Sequence, residues 1–111
     1  MLNASLFAQL KRGGPLGGPV VVNAGRGGLQ VETDIFAALE SGVLKGASLD
    51  VFEREPLPPD SPLWSHPAVF VSPHNSAISE PSAVVAAVAR QIEAFERGEP
   101  LRNVVDRERG Y

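Results

Sequence analysis

The chain contains no cysteine, which excludes disulfide bonds and thiolate metal sites. It has no apolar run near the ~20 residues that a membrane-spanning helix needs. It also has no basic run interleaved with aromatic residues, and its formal net charge is -3, so neither a nucleic-acid partner nor a membrane partner is expected. The first residues lack the pattern of a secretory signal, and the expected location is therefore cytoplasmic.

Two glycine motifs are also missing. The pattern G-x-G-x-x-G, which joins a strand to a phosphate-binding helix in dinucleotide-binding domains, occurs nowhere in the chain. No serine stands in the G-x-S-x-G pattern of a hydrolase nucleophile elbow, so a hydrolase built on histidine and glutamate is disfavoured. What the chain does contain is an apolar share of 43% over 111 residues, enough for the core of one small domain.

The middle of the chain has the pattern of a parallel α/β protein. Three consecutive valines at 20–22 predict a strand that is covered on both faces. A helical pattern follows at 32–41, with Gly42 as its C-terminal stop, and the apolar segment 47–52 predicts a second strand. Strand, helix and strand over ~30 residues form a βαβ unit. A third short strand is predicted at 69–71.

Helices are predicted at both ends of the chain. Asn3 is a good N-cap for a short helix over residues 3–10. Near the other end, Ser79 is the expected cap of a helix that has Pro81 in its first turn. The apolar stripe of this helix is formed by Val84, Val85, Val88, Ile92 and Phe95.

Charged side chains follow the ends of all three predicted strands. Arg26 follows the first strand, Asp50 and Glu55 follow the second, and His74 follows the third. Because ligands of open parallel sheets bind beyond the carboxyl ends of the strands, these residues are candidates for one site. The arginine fork suits a carboxylate, and a histidine beside a carboxylate can hold and donate a proton near neutral pH. This set suits a reaction that forms an alkoxide next to a carboxylate, such as hydride reduction of a 2-keto acid.

The same residues also have structural interpretations. Arg26 can be an ordinary surface or ion-paired arginine, and His74 can be a structural histidine with all its hydrogen bonds satisfied. Asp50 closes an apolar strand and needs a partner under either interpretation. The proline-rich connection 53–67 is long enough to be functional, but His66 within it is interpreted as structural.

Several motifs together resemble one known family. In order and spacing they match the C-terminal signatures of NAD(P)-dependent D-2-hydroxyacid dehydrogenases, and the ending 105–111 resembles the glyoxylate/hydroxypyruvate reductase A branch. The matching motifs are Asn23-Ala24-Gly25-Arg26-Gly27, the segment 49–58, Ser61-Pro62-Leu63-Trp64 and Pro73-His74.

This resemblance implies a fold and a division into domains. The expected fold is a partial Rossmann-like parallel sheet of about three strands with flanking helices, the C-terminal third of a two-domain dehydrogenase. Residues 1–77 would form the C-terminal half of the NAD(P)-binding domain. Residues 78–111 would form a helix and tail that return to the substrate domain.

The resemblance also implies roles for the residues at the strand ends. Arg26 would bind the carboxylate of a small 2-keto acid and polarise its ketone, and His74 would be the general acid in reduction and the base in oxidation. Glu55 would hydrogen-bond His74 and favour its protonated form. A D-2-hydroxy acid would be the product, with glyoxylate or hydroxypyruvate as the substrate.

The implied cofactor is NADP or NAD. Ala24, Gly25 and Arg26 would line the nicotinamide side of the cleft together with His74, while Asp50 would contact the carboxamide. Because the phosphate-binding turn is missing, we expect the isolated chain to be inactive, and we expect its uncovered surfaces to form a homo-oligomer. The alternative is a non-enzymatic nicotinamide-sensing protein, or a relic fragment of the same fold.

Overall fold

The computed structural model describes residues 1–77 and 79–108. The chain divides into two compact units, Met1–Ala77 and Ile78–Tyr111. The helices and strands of the first unit, in chain order, are α1 (Ala4–Ala8), β1 (Val20–Asn23), α2 (Glu32–Glu40), β2 (Gly46–Leu49) and β3 (Val69–Val71). Short 3-10 turns lie at Gly27–Leu29 and Pro62–Trp64. The second unit contains α3 (Pro81–Glu96).

The three strands form one parallel sheet in the order β1-β2-β3. In the register of this sheet Asn23 lies beside Leu49, and Leu49 lies beside Val71. The strands therefore end together at one edge. The predicted fold, a three-stranded parallel sheet with flanking helices, is confirmed, and each predicted strand is present.

The hydrophobic core lies on one face of this sheet. Leu49 of the central strand is fully buried and belongs to one core cluster with the buried apolar side chains of α1 and α2. Each large side chain buried in this way contributes about 1.5–3 kcal/mol to folding. The largest fully buried side chains are Phe7, Ile35, Leu44, Leu49, Val51 and Leu63.

The prediction that the valine run is covered on both faces is wrong. Val21 is buried, but 45% of Val20 and 69% of Val22 are exposed. Phe70 lies on the same side of the sheet as these two valines, because it is paired through Ser48 with Val22, and 67% of it is exposed. The β-branched run predicts a strand correctly, but the burial of its second face depends on what packs there.

The ends of the helices and strands in the first unit follow local chemistry. The Asn3 side chain accepts a hydrogen bond from Leu6 N at 3.0 Å, so the predicted N-cap is confirmed. Gly42 ends α2 with a φ of +72°, a conformation that glycine adopts without steric cost. The second strand is shorter than the predicted 47–52, since the chain leaves the ladder after Leu49.

In the second unit, the N-cap of α3 lies one residue later than predicted. Pro81 is its first residue and Glu80 is its N-cap, so the assignment of Ser79 as the cap is wrong. Proline at the first helical position requires extended backbone just before it, which places the cap at residue 80. The side chain of Gln91 holds the tail, since its Oε1 and Nε2 bond the N–H and carbonyl of Arg102 at 3.2 and 2.6 Å.

The predicted apolar stripe of α3 is exposed along its length, and no residue of this helix is buried. Within the described residues, no helix has the length and apolar character needed to cross a membrane. The assignment of the two units to a cofactor domain and a substrate domain stays a prediction.

The backbone of Gly27 lies directly against the loop that follows β2. A β-carbon at this position would collide with the carbonyl oxygen of Phe52, whereas a β-carbon on Gly28 would meet nothing within 4 Å. We therefore expect Gly27→Ala to lower the free energy of unfolding by about 1–3 kcal/mol or more, because backbone atoms have to move. Gly28→Ala is the matched control, and urea denaturation measures both. Equal stabilities of the two variants would contradict this packing.

The exposed apolar surfaces make self-association of the isolated chain an expected outcome. Val22 and Phe70 project from one face of the sheet, and contiguous exposed apolar surface favours association. We expect static light scattering of the 111-residue chain to give a dimer or a larger assembly. The double substitution Val22→Thr with Phe70→Thr should shift the distribution toward monomer. A monodisperse wild-type monomer would contradict the prediction.

Candidate active site

The candidate residues lie together because they follow neighbouring parallel strands. Arg26 comes three residues after β1, Asp50 directly follows β2, and His74 comes three residues after β3. Two backbone hydrogen bonds connect these strand ends, one from Asp50 N to the Asn23 carbonyl at 3.0 Å and one from His74 N to the Asp50 carbonyl at 2.8 Å. The sheet itself therefore assembles the site.

His74 and Glu55 form a hydrogen-bonded pair at this edge. The Nδ1 atom of His74 lies 2.8 Å from Oε2 of Glu55. An ionised carboxylate can only accept, so Nδ1 carries the proton of this bond. The Nε2 atom makes no hydrogen bond within the described part of the chain, and 48% of the histidine side chain is exposed. The pair can therefore present Nε2 to another molecule.

Glu55 is held as a carboxylate by several groups. Its pKa is lowered, chiefly by the hydrogen bond from His74 and then by the N–H of Phe52, which donates to Oε1 at 3.0 Å. Partial burial opposes these bonds, and the charges of His74 and Arg26 assist them. The carboxylate thus remains a hydrogen-bond acceptor for His74 over the pH range in which a histidine titrates.

Asp50 is buried, with 4% of the residue exposed, and its carboxylate is the centre of the His74 loop. Its Oδ1 accepts hydrogen bonds from Ser72 Oγ at 2.6 Å and Asn75 N at 3.0 Å, and Oδ2 accepts one from Ser76 N at 3.0 Å. Burial raises the pKa of Asp50, but the bonds from Ser72, Ser76 and Asn75 outweigh burial and lower it well below its usual value.

These bonds hold His74 in an uncommon backbone conformation. Its φ is +51°, in the left-handed region that residues other than glycine seldom occupy. Such a conformation costs on the order of 1–3 kcal/mol and persists only where the surroundings fix it. Here the N–H groups of residues 74, 75 and 76 all donate to Asp50, the first to its carbonyl and the others to its carboxylate.

Arg26 is the exposed cation of the site. Its Nη1 donates a hydrogen bond to the Gly25 carbonyl at 2.7 Å, and it makes no ion pair with the described residues. Its charge is the smallest of the causes that lower the pKa of Glu55. The exposed arginine fork is available to an anion.

A cavity of about 540 Å³ opens beside the histidine pair. This volume suits a small ligand, and an apolar wall with a few polar groups is typical of such sites. Its apolar wall includes Phe52, Leu57, Trp64 and Val71, and its polar groups are Asp50, Glu55, Ser72 and His74.

The other histidine is structural, as the sequence predicts. His66 Nε2 lies 3.2 Å from a carboxylate oxygen of Glu40, and its Nδ1 accepts a hydrogen bond from Ala68 N at 3.1 Å. The ring also makes an edge contact with Phe36 at a centroid distance of 5.8 Å. Both nitrogens are thus occupied, and His66 fastens the proline-rich connection to α2.

Sequence reasoning missed the polar residues that support the site. Ser72 bonds Asp50, while Asn23 and Gln30 form a buried hydrogen-bonded pair beneath Arg26. A signal was available for two of them, since an asparagine that ends a valine run and a glutamine between Leu29 and Val31 are polar residues in apolar surroundings.

Comparison with protein families matches residues 1–76 to the family described as D-isomer specific 2-hydroxyacid dehydrogenase, NAD binding domain. The chain belongs to this family. The resemblance predicted from the sequence is thereby confirmed. Among the described residues no three histidine, cysteine, aspartate or glutamate side chains are grouped to hold a metal ion.

Curated and solved relatives agree with this membership. Glyoxylate/hydroxypyruvate reductase A of Klebsiella pneumoniae is 49% identical over all 111 residues, which cover 34% of that protein. A crystal structure of the NADPH-dependent glyoxylate/hydroxypyruvate reductase of Sinorhizobium meliloti, in complex with NADP and sulfate, is 58% identical with a TM-score of 0.92. That match covers 99% of this chain and 35% of the other.

A probable 2-hydroxyacid dehydrogenase of Rhizobium etli, solved with NADP, HEPES and L(+)-tartaric acid, is 55% identical with a TM-score of 0.87. It too is matched over 99% of this chain and 35% of its own. The chain thus spans about a third of the length of these relatives.

The hydrogen bonds around Asp50 predict how stability depends on pH. Because its folded pKa is lowered, its contribution is complete above the ordinary carboxyl pKa of about 4 and is lost as the pH falls toward the folded value. Asp50→Asn removes this titration. We expect the variant to be less stable than the wild type at neutral pH and to lose less stability between about pH 5 and about pH 2.

Urea midpoints across that pH range measure the effect. Asp60→Asn, in the exposed part of the proline-rich connection, is the matched control and should keep the wild-type slope. A wild-type slope in Asp50→Asn would show that the carboxylate does not hold the His74 loop.

Proposed function

We propose that this chain carries the acid–base pair and the substrate arginine of an NADPH-dependent reductase that converts glyoxylate to its achiral 2-hydroxy acid or hydroxypyruvate to a D-2-hydroxy acid. The observation that carries the proposal is the hydrogen bond between His74 and Glu55 at the carboxyl edge of a parallel sheet, where Arg26 follows another strand of the same sheet. The identity to reductases that act on these two keto acids supports this substrate class.

Arg26 is the residue that would bind the substrate. Its guanidinium is exposed and forms no ion pair in the described part of the chain, so its fork can take a carboxylate through two parallel hydrogen bonds. A ketone adjacent to that carboxylate would then lie close to the same positive charge. The charge polarises the C=O bond and stabilises the negative oxygen that forms during reduction.

His74 would supply the proton. As hydride adds to the carbonyl carbon, the C=O electron pair moves to oxygen, and the oxygen takes a proton from Nε2 of His74. Glu55 holds the proton on Nδ1 and stabilises the charged imidazole before transfer. The neutral imidazole regains its proton from solvent, and the reverse sequence lets His74 act as the base in oxidation.

Bound NADPH would supply the hydride. The residues that would hold the nicotinamide are Ala24, Gly25, Arg26, Asp50 and His74. The side chain of Ala24 is small and exposed, and Gly25 has none, so this stretch offers close approach to a flat ring. Asp50 already accepts three hydrogen bonds from its own chain, and its contact with the carboxamide is part of the proposal.

We also propose which domain of the complete protein each of the two units belongs to. Met1–Ala77 would be the later half of the cofactor domain, and the helix and tail after it would return to the substrate domain. The cofactor phosphates would be held by residues outside this chain, because it has no G-x-G-x-x-G turn. We propose NADPH rather than NADH as the cofactor, because structures of similar proteins contain NADP or NADPH.

A hybrid enzyme provides the test. The matching third of the Sinorhizobium meliloti reductase is replaced by this chain, so that the host supplies the remainder of the cofactor domain. We expect the hybrid to oxidise NADPH in the presence of glyoxylate or hydroxypyruvate, and the isolated 111-residue chain to show no turnover above background. His74→Gln should lower kcat by about 10²–10⁴, because the general acid is lost.

Glu55→Gln should lower kcat less than His74→Gln does, since an amide can still accept the hydrogen bond but does not stabilise the charged imidazole. The matched control is Glu96→Gln, an exposed glutamate at the end of α3. Full activity in His74→Gln would contradict the proposal, because the proton would then come from another group. A folded but inactive wild-type hybrid, beside an active host enzyme, would also overturn it.

A further inference from the structure

Arg26 and the His74–Glu55 pair stand on different loops, so their mutual position depends on what joins those loops. Arg26 lies in the loop that follows β1, whereas Glu55 lies in the loop that follows β2. The Arg26 side chain makes only the bond to Gly25 next to it among the described residues, so it does not fix its own position relative to Glu55.

A buried pair of amide side chains connects the two loops. Gln30, with 3% exposed, donates from Nε2 to the Val51 carbonyl at 2.9 Å and accepts from Asn23 Nδ2 at 2.7 Å. The same Asn23 nitrogen donates to the carbonyl of Arg26 at 3.1 Å. A continuous chain of hydrogen bonds therefore runs from the backbone of Arg26 to the backbone of Val51.

The series of hydrogen bonds ends at Val51, and the residues on either side of Val51 hold the His74–Glu55 pair. Asp50, on one side of Val51, holds the His74 loop, and Phe52, on the other side, donates its N–H to Glu55. Gln30 thus ties the backbone of Arg26 to the three residues that position the histidine pair.

The amide pair also sets the start of the Arg26 loop. Asn23 Oδ1 accepts a hydrogen bond from Gly25 N at 3.0 Å, so one side chain bonds the backbone of both Gly25 and Arg26. In the described part of the chain every buried side-chain nitrogen and oxygen has a hydrogen-bond partner. A satisfied buried network of this kind is rigid, because each bond can be lost only at the cost of an unpaired polar group.

We propose that the Asn23–Gln30 amide pair is a positioning device that sets Arg26 at the right distance from the His74–Glu55 pair for a 2-keto acid. The expected effect on the KM for the keto acid rests on the proposed function. The expected effect on the position of the Arg26 loop does not. An apolar side chain of equal size at position 30 would fill the same space but would make neither hydrogen bond. We therefore assign to the Gln30 amide the alignment of the two loops, and not the filling of the core.

Gln30→Met tests this, because methionine keeps the length of the side chain and removes both hydrogen bonds. In the hybrid enzyme we expect kcat/KM for glyoxylate to fall by about 10–100-fold, mainly through KM, since misplacement of a binding group by ~1 Å has effects of this size. The KM for NADPH should change less than the KM for glyoxylate, because residues outside this chain would hold the cofactor phosphates. Gln9→Met is the matched control, because the Gln9 amide also bonds a backbone carbonyl but is exposed, at the C-cap of α1.

Amide hydrogen exchange in the 111-residue chain provides a readout that needs no activity. Gly25 N–H is protected by Asn23, and Ala47 N–H, bonded to the Ala68 carbonyl, reports on the sheet. In Gln30→Met we expect exchange of Gly25 to accelerate about tenfold more than that of Ala47, because the loop opens locally.

The outcomes separate the two proposals. Selective acceleration at Gly25 together with a raised KM for glyoxylate supports the positioning role. Equal acceleration at Gly25 and Ala47, or an unchanged KM in an active hybrid, overturns it, because Gln30 would then contribute only stability. If the hybrid with Gln30 intact is inactive, the proposed function fails, and hydrogen exchange alone decides whether the amide pair sets the loop.

Discussion

The carboxylate of Asp50 is the group around which the rest of the site is folded. A buried carboxylate needs hydrogen-bond donors, and here they come from Ser72, Asn75 and Ser76 on the loop that follows the neighbouring strand. Satisfying this one side chain therefore fixes the loop that carries His74, including its left-handed backbone. The charge of Asp50 is bonded inside the protein, whereas the side chains of Glu55 and Arg26 are exposed.

A second polar connection holds the opposite side of the site. The Asn23–Gln30 pair reaches from the Arg26 loop to the Val51 carbonyl, and Gly27 allows the two loops to touch without a side chain between them. Reciprocal bonds between Glu32 and Glu53, each carboxylate accepting the N–H of the other residue, continue this contact. The two loops behave as one surface because backbone and side chain are bonded at several points.

Exposed apolar side chains are found on one face of the sheet and along α3. One face of the sheet is packed, while Val22 and Phe70 on the other face are exposed, and α3 has no buried residue. The valine run predicts a strand correctly, but its side chains differ in burial because only one face of this sheet is packed.

Much of the fold could be predicted from the sequence because its signals are local. The cap at Asn3, the stop at Gly42 and the strand at 69–71 depend on residues within a few positions of each other, and all three predictions are confirmed. Ser79 failed as a cap because proline two positions later moves the cap next to itself. The candidate residues at the strand ends could be named because parallel strands end at the same edge.

The sequence by itself determined the order of helices and strands, the residue types at the strand ends and the family. Only the tertiary structure decided that Asp50 holds the His74 loop, that one face of the sheet is uncovered and that Gln30 joins two loops. These bonds join residues far apart in the chain, 26 positions for Asp50 and Ser76 and 21 for Gln30 and Val51. Periodicity and capping are set by neighbours in sequence, whereas the partner of a buried polar group is set by which loops the sheet brings together.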